Sequence, residues 1–575
     1  MSQAGGGSKY PQGYFRNPLS IPISLSANFG ELRPNHWHMG LDIRTNQREN
    51  QSVYAAAEGY IARIGIRPSS FGRFIVINHP NGLSTLYAHL NEFYPELEKY
   101  VQGKQREKES WAIELEFSKN LFPVKKGTYI AKSGNTGGSQ GPHLHFEIRD
   151  TKTGKCLNPQ LFGLPISDNI SPVVSRLAIY NRSISTYSQT PQFIKLVKSG
   201  SNYFASPKKI ITGFKKLSFA IGATDRTSVS SGPNGIYGAS VYFDSKPMSV
   251  FLLDSIDYDE TAFIDAQIDR RYRYNGGPYL QHLSSLPGAA NKVYLQDVGT
   301  GVIELNDTLS HSVMIEVFDT QENLTTISFF IQYSEALAEK IKTPAYDRML
   351  SPNKVNIIDE KDFEAFIPVN GLYDTVPFSY NKENTFPGGA ITAQYKLADP
   401  SYPVHTPISI RLKTSKTVSE NLKNKIVMVR QWKNERSIRK ADWQNGWILS
   451  SYADFGIYQA YVDTVAPRFN DPGRGKDTLD LSALKRLVFT PTDNFSVNSF
   501  KAYLDGKWLM FTNDKGRNHI YNFDEQCPYG THHLKVIVED IAGNKTVKEW
   551  WFKRKPYTPP KKKPVSRKKS PPKKK

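Results

Sequence analysis

The stretch from Gly141 to Arg149 reads Gly-Pro-His-Leu-His-Phe-Glu-Ile-Arg, and its alternation of polar and apolar residues is typical of a β-strand. Side chains two positions apart in a strand point to the same face, so His143 and His145 are predicted to lie roughly 6.5 to 7 Å apart on one face. Such a pair suits a metal site in which one imidazole binds the ion and the other reaches its water. Further candidates for such a site lie upstream, at His36, His38, Asp42 and His89.

Length and composition predict a mainly β protein of several domains. At 575 residues the chain is too long for one hydrophobic core, and about one domain per 100 to 200 residues suggests three to five. Aromatic residues make up 12% of the chain, and Gly and Pro are frequent. This composition favours strands and turns over long helices.

The first part of the chain is predicted to be a series of short strands. Two apolar runs, Phe74–Ile77 and Leu83–Tyr87, flank an Asn-Gly dipeptide at positions 81 and 82, which is typical of a β-hairpin. The hairpin would place His89 directly after its second strand. The segment from Tyr94 to Asn120 is first helix-like and then alternating, and we interpret it as an insertion that flanks the site.

Four motifs of this region resemble those of a known family. In chain order they are His38-x-x-x-Asp42, Tyr87-x-His89, Ser133-Gly-Asn-Thr-Gly137 and Gly141-Pro-His143-x-His145-Phe-Glu147. Their order and spacing are similar to those of the lysostaphin-like, LytM-type zinc metallopeptidases, from roughly Phe15 to Pro165. The resemblance implies a small antiparallel β fold with an open groove, and hydrolysis of peptide bonds in peptidoglycan.

The resemblance also implies a role for each polar residue of these motifs. A catalytic zinc ion (Zn2+) needs three nitrogen or oxygen ligands and an open position for water. The family pattern assigns the ligand positions to His38, Asp42 and His145. His143 and His89 are then left as the residues that orient and deprotonate the water, and the sequence does not distinguish which of them is the base.

Three nearby residues have other interpretations. His36 lies two positions before His38 and satisfies the spacing of a ligand equally well, whereas the family pattern favours His38. His79, in the hairpin turn, is interpreted as structural. Gly40 is expected to let the backbone turn tightly between His38 and Asp42.

Two later regions of the chain resemble each other. They begin with Asp168-Asn-Ile-Ser-Pro172 and Asp463-Thr-Val-Ala-Pro467, and Asp319-x-x-x-Asn323-x-Thr325 in the first matches Asp540-x-x-x-Asn544-x-Thr546 in the second. We infer a diverged repeat of immunoglobulin-like sandwiches, the first with a long insertion. The shared Asp and Asn residues indicate turn caps. Calcium binding is the alternative, which the lack of a dense acidic loop disfavours.

These patterns predict six segments. They are an N-terminal extension (1–14), a LytM-type zinc peptidase domain (15–165), an immunoglobulin-like β domain with an insertion (166–333), a β domain of unknown role (334–462), a second immunoglobulin-like β domain (463–555) and a disordered Lys/Pro-rich tail (556–575). The expected fold class is mainly β, with a small antiparallel peptidase domain followed by β-sandwiches.

The net charge of +20 is concentrated at the end of the chain. From Lys561 to Lys575 there are nine Lys or Arg residues and no acid, so this tail supplies nearly half of the excess. A tail of this kind suits anionic envelope polymers, or it is a solvated segment without a specific partner. No recognition helix or aromatic RNA-binding strand accompanies it, and we predict no specific nucleic-acid partner.

The positions of the cysteines and the hydropathy of the sequence give information about the cellular location of the protein. Cys156 and Cys527 lie far apart in sequence and predict no disulfide. No run of about 18 apolar residues exists, so no transmembrane segment is predicted. The first residues lack the apolar stretch of a signal peptide. The expected location, a periplasmic or secreted place in the cell envelope, therefore assumes a leader peptide that is absent from this sequence.

Three functions are compatible with the sequence. The first is a zinc-dependent endopeptidase that hydrolyses peptidoglycan cross-link peptides in cell-wall remodelling. The second is a non-catalytic LytM-type protein that binds the wall or activates another cell-wall hydrolase. The third is a surface adhesion protein with a relic peptidase domain. The complete set of ligand and second-sphere residues favours the enzyme.

Overall fold

The computed structural model describes residues 9–230, 232–289, 292–338, 346–472, 478–516 and 518–558. These residues are mainly β, as the sequence predicted. They divide into two compact units, one from Met1–Lys104 and Ala112–Thr464 and the other from Gln105–Trp111 and Val465–Lys575. The first eight residues and the predicted basic tail from Lys561 lie outside the described residues.

The peptidase-like region forms the first part of the larger unit. Its elements are β1 Leu25–Ala27, β2 Leu32–Arg33, β3 His36–Trp37, β4 Leu41–Arg44, β5 Ser52–Tyr54, β6 Gly59–Ile66, β7 Arg73–Asn78, β8 Leu83–Ala88, β9 Leu90–Phe93, α1 Pro95–Glu107, β10 Ile113–Glu116, β11 Pro123–Val124, β12 Tyr129–Ser133, β13 His143–Asp150 and β14 Cys156–Leu157. The large sheet has the strand order β1-β4-β13-β8-β7-β6-β10, with β11 beside β6 and β14 beside β13, and β5-β12-β9 form a smaller sheet.

Strand β13 confirms the alternation predicted around the two histidines. Leu144, Phe146 and Ile148 are fully buried on one face of the strand. His143 and His145 lie on the other face. The neighbouring strand β4 is antiparallel to β13 and pairs His145 directly with Asp42. Directly opposed residues have Cβ atoms about 4.5 to 5.5 Å apart, so the sheet register itself brings these two side chains together.

The predicted hairpin and insertion are both present as secondary structure. Strands β7 and β8 pair antiparallel on either side of the Asn-Gly turn, and His89 follows the last residue of β8. The segment from Tyr94 to Asn120 contains α1 and β10, as its pattern predicted. However, three strands separate β10 from β13 in the sheet. The expectation that this segment flanks the site is therefore wrong for its strand, which lies at the opposite edge.

The region after the peptidase-like region contains two sheets that pack face to face. Its elements are β15 Val173–Asn181, β16 Gln192–Ile194, β17 Leu196–Ser199, β18 Asn202–Thr212, β19 Lys216–Thr224, β20 Gly238–Phe243, β21 Lys246–Leu252, β22 Ser255–Ile256, α2 Ile264–Gln267, α3 Arg270–Tyr274, β23 Gln281–His282, β24 Ile303–Glu304, β25 Ser310–Phe318 and β26 Leu324–Tyr333. One sheet has the order β16-β15-β19-β23 with β24 beside β19, and the other β17-β18-β26-β25-β20-β21. Phe219 and Phe329 meet between the sheets, with ring centroids 5.4 Å apart.

The remaining two regions also consist of paired sheets. The first contains β27 Arg348–Leu350, β28 Asn356–Glu360, β29 Phe363–Ile367, β30 Val376–Phe378, β31 Tyr380–Glu383, β32 Gln394–Leu397, β33 Pro403–Lys413, β34 Ile426–Trp432, β35 Glu435–Lys440, β36 Asp442–Gln444, β37 Trp447–Asp454 and β38 Gly456–Val462. The last contains β39 Thr478–Asp480, β40 Arg486–Phe489, β41 Val497–Leu504, β42 Lys507–Trp508, β43 His519–Asn522, β44 Gly530–Asp540 and β45 Lys545–Arg554. This last region has a hydrophobic core of its own.

The first and last sandwich-like regions share the contacts that their sequence motifs suggested. Asp319 accepts hydrogen bonds from the backbone and side-chain amides of Asn323, and Asp540 does the same for Asn544. The hydroxyl of Thr325 donates to the carbonyl of Pro172 at 2.6 Å. The corresponding pair, Thr546 and Pro467, is 2.5 Å apart. These matched contacts support the inferred repeat and show that Asp319 and Asp540 cap turns.

The peptidase-like region and the first sandwich share a hydrophobic core. Trp37, which is fully buried, belongs to the same cluster as Leu253 and Phe263 of the sandwich. The backbone amide of Trp37 also donates to the hydroxyl of Thr261 at 3.0 Å. Strand β22 of the sandwich pairs with β14 and so joins the large sheet. The predicted boundary at residue 165 therefore separates two regions that pack as one body.

Two compositional predictions can be compared with the described residues. Cys156 and Cys527 are both buried and free, as their separation predicted. Within the described part of the chain, no helix combines the length and the apolar character that crossing a bilayer requires.

Candidate metal centre

Three side chains converge on one point at the edge of β4 and β13. His38 Nε2 lies 3.0 Å from Asp42 Oδ1 and 3.0 Å from His145 Nδ1, and His145 Nδ1 lies 2.9 Å from Asp42 Oδ1. Donors bound tetrahedrally to zinc at about 2.0 to 2.1 Å are about 3.3 Å apart, close to the spacing seen here. The three residues that the family pattern assigned as ligands are thus gathered within one coordination sphere.

The outer hydrogen bonds fix which ring nitrogen of each histidine faces this point. His38 Nδ1 donates to the carbonyl of Asn28 at 2.7 Å, which leaves a lone pair on Nε2. His145 Nε2 donates to Glu147 Oε1 at 2.8 Å, which leaves a lone pair on Nδ1. Two lone pairs and a carboxylate oxygen then face one another. Such an arrangement is repulsive without a cation, and a set of two nitrogens and one oxygen suits zinc.

The pKa values of His145 and Asp42 also indicate that a cation is favoured at this point. Burial alone would lower the pKa of His145, but hydrogen bonds with Asp42 and Glu147 raise it to about 9. The pKa of Asp42 is held well below its usual range by His38, His143 and His145, although its burial opposes this. A divalent ion at this point would satisfy the two carboxylates in place of the proton on Nδ1.

Glu147 links the centre to the neighbouring sandwich. Its carboxylate is fully buried, and Arg149 Nε donates to Oε2 at 2.6 Å. The hydroxyl of Tyr258, from the sandwich, donates to Oε1 at 2.7 Å. Tyr258 also accepts from Arg149 Nη2 at 3.0 Å. The carboxylate that orients His145 is therefore itself positioned by a side chain from the next region of the chain.

His143 and His89 lie beside the three converging side chains. Their rings are 4.7 Å apart, and His143 Nε2 lies 3.3 Å from Asp42 Oδ1. His143 Nδ1 contacts the carbonyl of Gly141 at 2.8 Å, and His89 Nδ1 contacts that of Thr136 at 2.8 Å. A carbonyl accepts only, so each Nδ1 carries the proton and each Nε2 is left as an acceptor.

The local environment keeps His89 neutral. Burial, reinforced by the neighbouring His143 and His145 rings, lowers its pKa to about 3. His89 adopts a φ of 60°, in the left-handed region, where it turns away from the end of β8. Its backbone amide donates to the carbonyl of Phe71 at 3.0 Å, which holds this turn. A pKa of about 3 means that His89 is neutral near pH 7, so its Nε2 is an acceptor for a hydrogen bond.

Two glycine positions explain how the backbone reaches this arrangement. A Cβ atom at Gly40 would lie 2.5 Å from the carbonyl oxygen of Phe146, so β4 can approach β13 closely only with glycine here. Gly137 has a φ of 68° and lies against Gly72. The Ser133-to-Gly138 loop is thus packed against the loop at Gly72, where it supplies the carbonyl of Thr136 that holds His89.

The other histidines near the motifs lie outside the cluster. His36 is exposed, and its Nδ1 contacts the carbonyl of Pro34 at 2.9 Å. His79 is buried and bonded to the carbonyl of Glu58 and the hydroxyl of Thr85. The structure therefore separates His36 from the ligand set and agrees with a structural role for His79.

Sequence reasoning missed two residues that support the centre. Glu147 stands two positions after His145, on the same strand face, and period-two alternation could have identified it. Tyr258 lies more than 100 positions further along the chain and has no local signal. Only the packing of the sandwich against β13 reveals it.

Comparisons with known proteins agree with this geometry. Residues 36–106 and 119–159 match the model of peptidase family M23. Residues 347–463 match the model of a Zu5-like domain. The unmatched residues 107–118 fall inside the insertion predicted at Tyr94 to Asn120, and they include β10.

Three curated relatives match the same part of the chain. An uncharacterized metalloprotease of Haemophilus influenzae is 30% identical over 168 residues, 28% of this chain and 29% of that protein. The DD-carboxypeptidase/endopeptidase Mpg of Neisseria meningitidis is 33% identical over 158 residues, 27% of this chain and 30% of that protein. The peptidoglycan DD-endopeptidase ShyA of Vibrio cholerae is 25% identical over 170 residues, 28% of this chain and 33% of that protein. The chain spans about a third or less of the length of these relatives.

The fold and the cluster together define a small antiparallel β domain with a His-Asp-His set that could hold a metal ion. This domain of the chain belongs to peptidase family M23, in its LytM type. The resemblance found in the sequence motifs is thereby confirmed.

Proposed function

We propose that the chain is a zinc-dependent endopeptidase that hydrolyses peptidoglycan cross-link peptides in cell-wall remodelling. The observation that carries this proposal is the convergence of His38, Asp42 and His145, with the imidazoles of His89 and His143 beside them. Two relatives whose names describe DD-endopeptidases support the choice of substrate. The proposed place of action is the cell envelope.

His38, Asp42 and His145 are the proposed zinc ligands. A bound zinc ion supplies Lewis acidity, which lowers the pKa of water and polarises the scissile carbonyl. Asn28 and Glu147 hold the two ligand imidazoles in the tautomers that present a lone pair. These outer contacts keep both rings oriented between turnovers.

His89 and His143 are the proposed proton-handling groups. Each holds its own Nδ1 proton on a backbone carbonyl, so each presents Nε2 as an acceptor. One accepts the proton of the attacking water at Nε2 and delivers it to the departing amine. The other, which takes up a proton from solvent at Nε2, donates a hydrogen bond to the developing oxyanion. No side chain in this set is a nucleophile, so the reaction proceeds without a covalent intermediate.

The proposed scissile bond joins D-alanine to a diamino acid of the cross-link. Polyglycine bridges are the other target class that the family resemblance implies. Both are thin, extended chains that a groove between loops can accept.

Digestion of purified, cross-linked sacculi by the zinc-loaded protein tests this proposal. Separation of the released fragments is expected to show cross-linked dimers converted to monomers, with activity lost on zinc removal and regained on zinc addition. His36→Ala is the matched control, because His36 is exposed and outside the cluster. Unchanged cross-linking together with cleavage of casein would contradict the proposed substrate.

The same digestion separates the enzyme from the alternative function. A non-catalytic wall-binding protein, or an activator of another hydrolase, would bind sacculi and leave every cross-link intact. The complete proton-handling pair argues for catalysis, because a binding protein has no need of two imidazoles with free Nε2 atoms.

We further propose that the basic tail from Lys561 holds the protein on anionic envelope polymers. The tail carries nine cations and no acid. With a Debye length of about 10 Å at 0.1 M salt, its contribution should fade as salt rises. Deleting residues 561–575 is expected to weaken wall binding at low salt and to leave the peptidase rate unchanged. Equal binding with and without the tail would refute this role.

A further inference from the structure

A cluster of three carboxylates lies in the first sandwich, outside the zinc-type centre. Asp168, Asp225 and Asp319 each place an oxygen within 4.8 Å of the others. Asp168 precedes β15, Asp225 directly follows β19, and Asp319 directly follows β25. Asp225 and Asp319 are only 6% and 4% exposed. Three strand termini thus bring three acids together at one end of the sandwich, two of them deeply buried.

Among the described residues, the main charges that act on Asp225 and Asp168 include no basic side chain. Burial, opposed by a hydrogen bond from the Arg226 amide and reinforced by the charges of Asp319 and Asp168, raises the pKa of Asp225 to about 7. All the side-chain charges acting on this carboxyl are negative. Like charges at such distances inside a protein repel strongly unless a cation or a proton intervenes.

Several buried polar atoms around Asp225 have no hydrogen-bond partner. They are Asp225 Oδ1, Thr227 Oγ1, and both the oxygen and the nitrogen of the Asn234 side chain. Thr227 and Asn234 are 1% and 3% exposed. Asp225 and Asn234 face each other across an antiparallel bridge with two backbone hydrogen bonds, so their side chains project to the same side. Buried polar groups without partners are costly, and several at one place point to a missing ligand.

The cluster suits a calcium ion in both chemistry and dimensions. Calcium takes six to eight oxygen ligands at about 2.3 to 2.6 Å. Two oxygens on one ion therefore lie up to about 5 Å apart, which accommodates the spacing of the three carboxylates. No nitrogen or sulfur donor belongs to the described cluster. Magnesium requires shorter bonds and near-octahedral geometry and usually keeps several waters, so a site built mainly from protein oxygens favours calcium.

The last sandwich repeats these residues in its sequence. Val173, directly after Pro172, pairs with Thr224, and Arg468, directly after Pro467, bridges to Thr492. The residue after each Thr is an aspartate, Asp225 in the first sandwich and Asp493 in the last. Asp168 and Asp319 likewise have sequence counterparts in Asp463 and Asp540. Turn caps account for Asp168 and Asp319 but not for the unpartnered oxygen of Asp225.

We propose that Asp168, Asp225 and Asp319 form a calcium-binding site, with Asn234 and water supplying further oxygens. The site adjoins the peptidase-like region through the loop that follows Asp225. Gly235 exchanges hydrogen bonds of 2.8 and 2.9 Å with the side chain of Asn28, whose carbonyl holds His38. The ion would therefore fix the loop that packs against the support of a zinc ligand.

Calcium titration of the full-length, zinc-loaded protein tests this site. The protein is first passed over a chelating resin, reloaded with zinc, and then titrated calorimetrically with CaCl2. Asp225→Asn is expected to bind one calcium ion fewer than the wild type, with the lost site having a dissociation constant of about 10⁻⁵ to 10⁻³ M. Asp297→Asn is the matched control, because Asp297 is an exposed carboxylate of the same sandwich.

Thermal unfolding with and without calcium distinguishes a ligand role from a structural one. Calcium at about 100 times its dissociation constant should raise the unfolding temperature of the wild type and of Asp297→Asn by roughly 5 to 10 °C. Without calcium, Asp225→Asn should be at least as stable as the wild type, because it removes a repelling charge. With calcium, it should fall below the wild type.

Three results would overturn the proposal. They are equal calcium binding by the wild type and Asp225→Asn, equally tight binding of magnesium at the same site, and destabilisation of Asp225→Asn to the same extent with and without calcium.

Discussion

The two carboxylate-containing clusters of the larger unit differ in how their polar atoms are satisfied. In the peptidase domain, His38 and His145 each have a second hydrogen-bond partner that fixes the atom facing the metal position. In the first sandwich, one carboxylate oxygen of Asp225 has no hydrogen-bond partner, and neither the oxygen nor the nitrogen of the neighbouring Asn234 side chain has one. The first cluster is built from two nitrogens and one oxygen, the second from oxygens alone.

This difference teaches what each cluster is suited to hold. Oriented imidazoles with a single carboxylate define a small, rigid site with direction-specific lone pairs, as zinc requires. Carboxylates from three separate strand ends define a wider site that tolerates variable geometry, as calcium does. Under the two proposals, one site would serve chemistry and the other would join segments of the fold.

The largest expected effect is at the ligand positions of the zinc-type centre. Asp42→Ala removes a carboxylate that both imidazoles contact, so zinc and peptidase activity should be lost together. Zinc content by mass spectrometry and sacculus digestion measure the two losses. Asp42→Ala that keeps both zinc and activity would show that the cluster is not the centre, while His36→Ala should match the wild type in both assays.

A smaller effect is expected at the proton-handling positions. His89→Ala should retain zinc, because His89 does not belong to the converging set, and should lose rate by about 10²- to 10⁴-fold. Turnover of sacculi per bound zinc ion gives this comparison directly. A rate within a few-fold of the wild type would remove His89 from the mechanism.

A modest effect is expected at the contact between the two regions. Tyr258→Phe removes the hydroxyl that donates to Glu147 and leaves the ring in place. Loss of a residue that hydrogen-bonds a metal ligand typically lowers metal affinity about 10- to 100-fold. The Tyr258 hydroxyl is one hydrogen bond further from the metal, so its loss should lower zinc affinity roughly 3- to 10-fold. Competition with a zinc-binding dye measures it. Tyr346→Phe, at an exposed tyrosine, is the control. Equal zinc affinities of the wild type, Tyr258→Phe and Tyr346→Phe would show that Tyr258 has no positioning role.

No effect is expected when the two ions are exchanged. Calcium added to the zinc-free protein should not restore peptidase activity, because two imidazole nitrogens are poor calcium ligands. The assay is sacculus digestion by metal-stripped protein supplied with either ion. Restoration of peptidase activity by calcium would contradict the assignment of different ions to the two clusters.

The zinc-type centre was largely predictable because its signals are local. The alternation around His143 and His145 specifies a strand face, and His38-x-x-x-Asp42 and the position of His89 after a hairpin complete the set. What joins these segments is sheet register, above all the pairing of Asp42 with His145. The sequence alone does not reveal that register, so the ligand assignment came from the family pattern.

The sequence failed where the answer depends on the order of strands. The insertion begins at Tyr94, close to His89 in sequence, which suggested that it lies beside the site. Strand β10 instead pairs with β6, at the other edge of the sheet. Tyr258 was missed for the same reason. Calcium at the shared Asp residues was disfavoured for want of a dense acidic loop, because Asp168, Asp225 and Asp319 come from distant segments and meet only through packing.

The most direct test of the central claim is a comparison of zinc content in His143→Ala and His145→Ala, both purified under the same conditions. The two residues share one strand face and both approach Asp42 Oδ1, at 3.3 Å for His143 and 2.9 Å for His145, but His145 is the one grouped with His38. We expect His143→Ala to retain one zinc ion per chain without activity, and His145→Ala to retain none. Zinc loss in His143→Ala with retention in His145→Ala would invert the assignment.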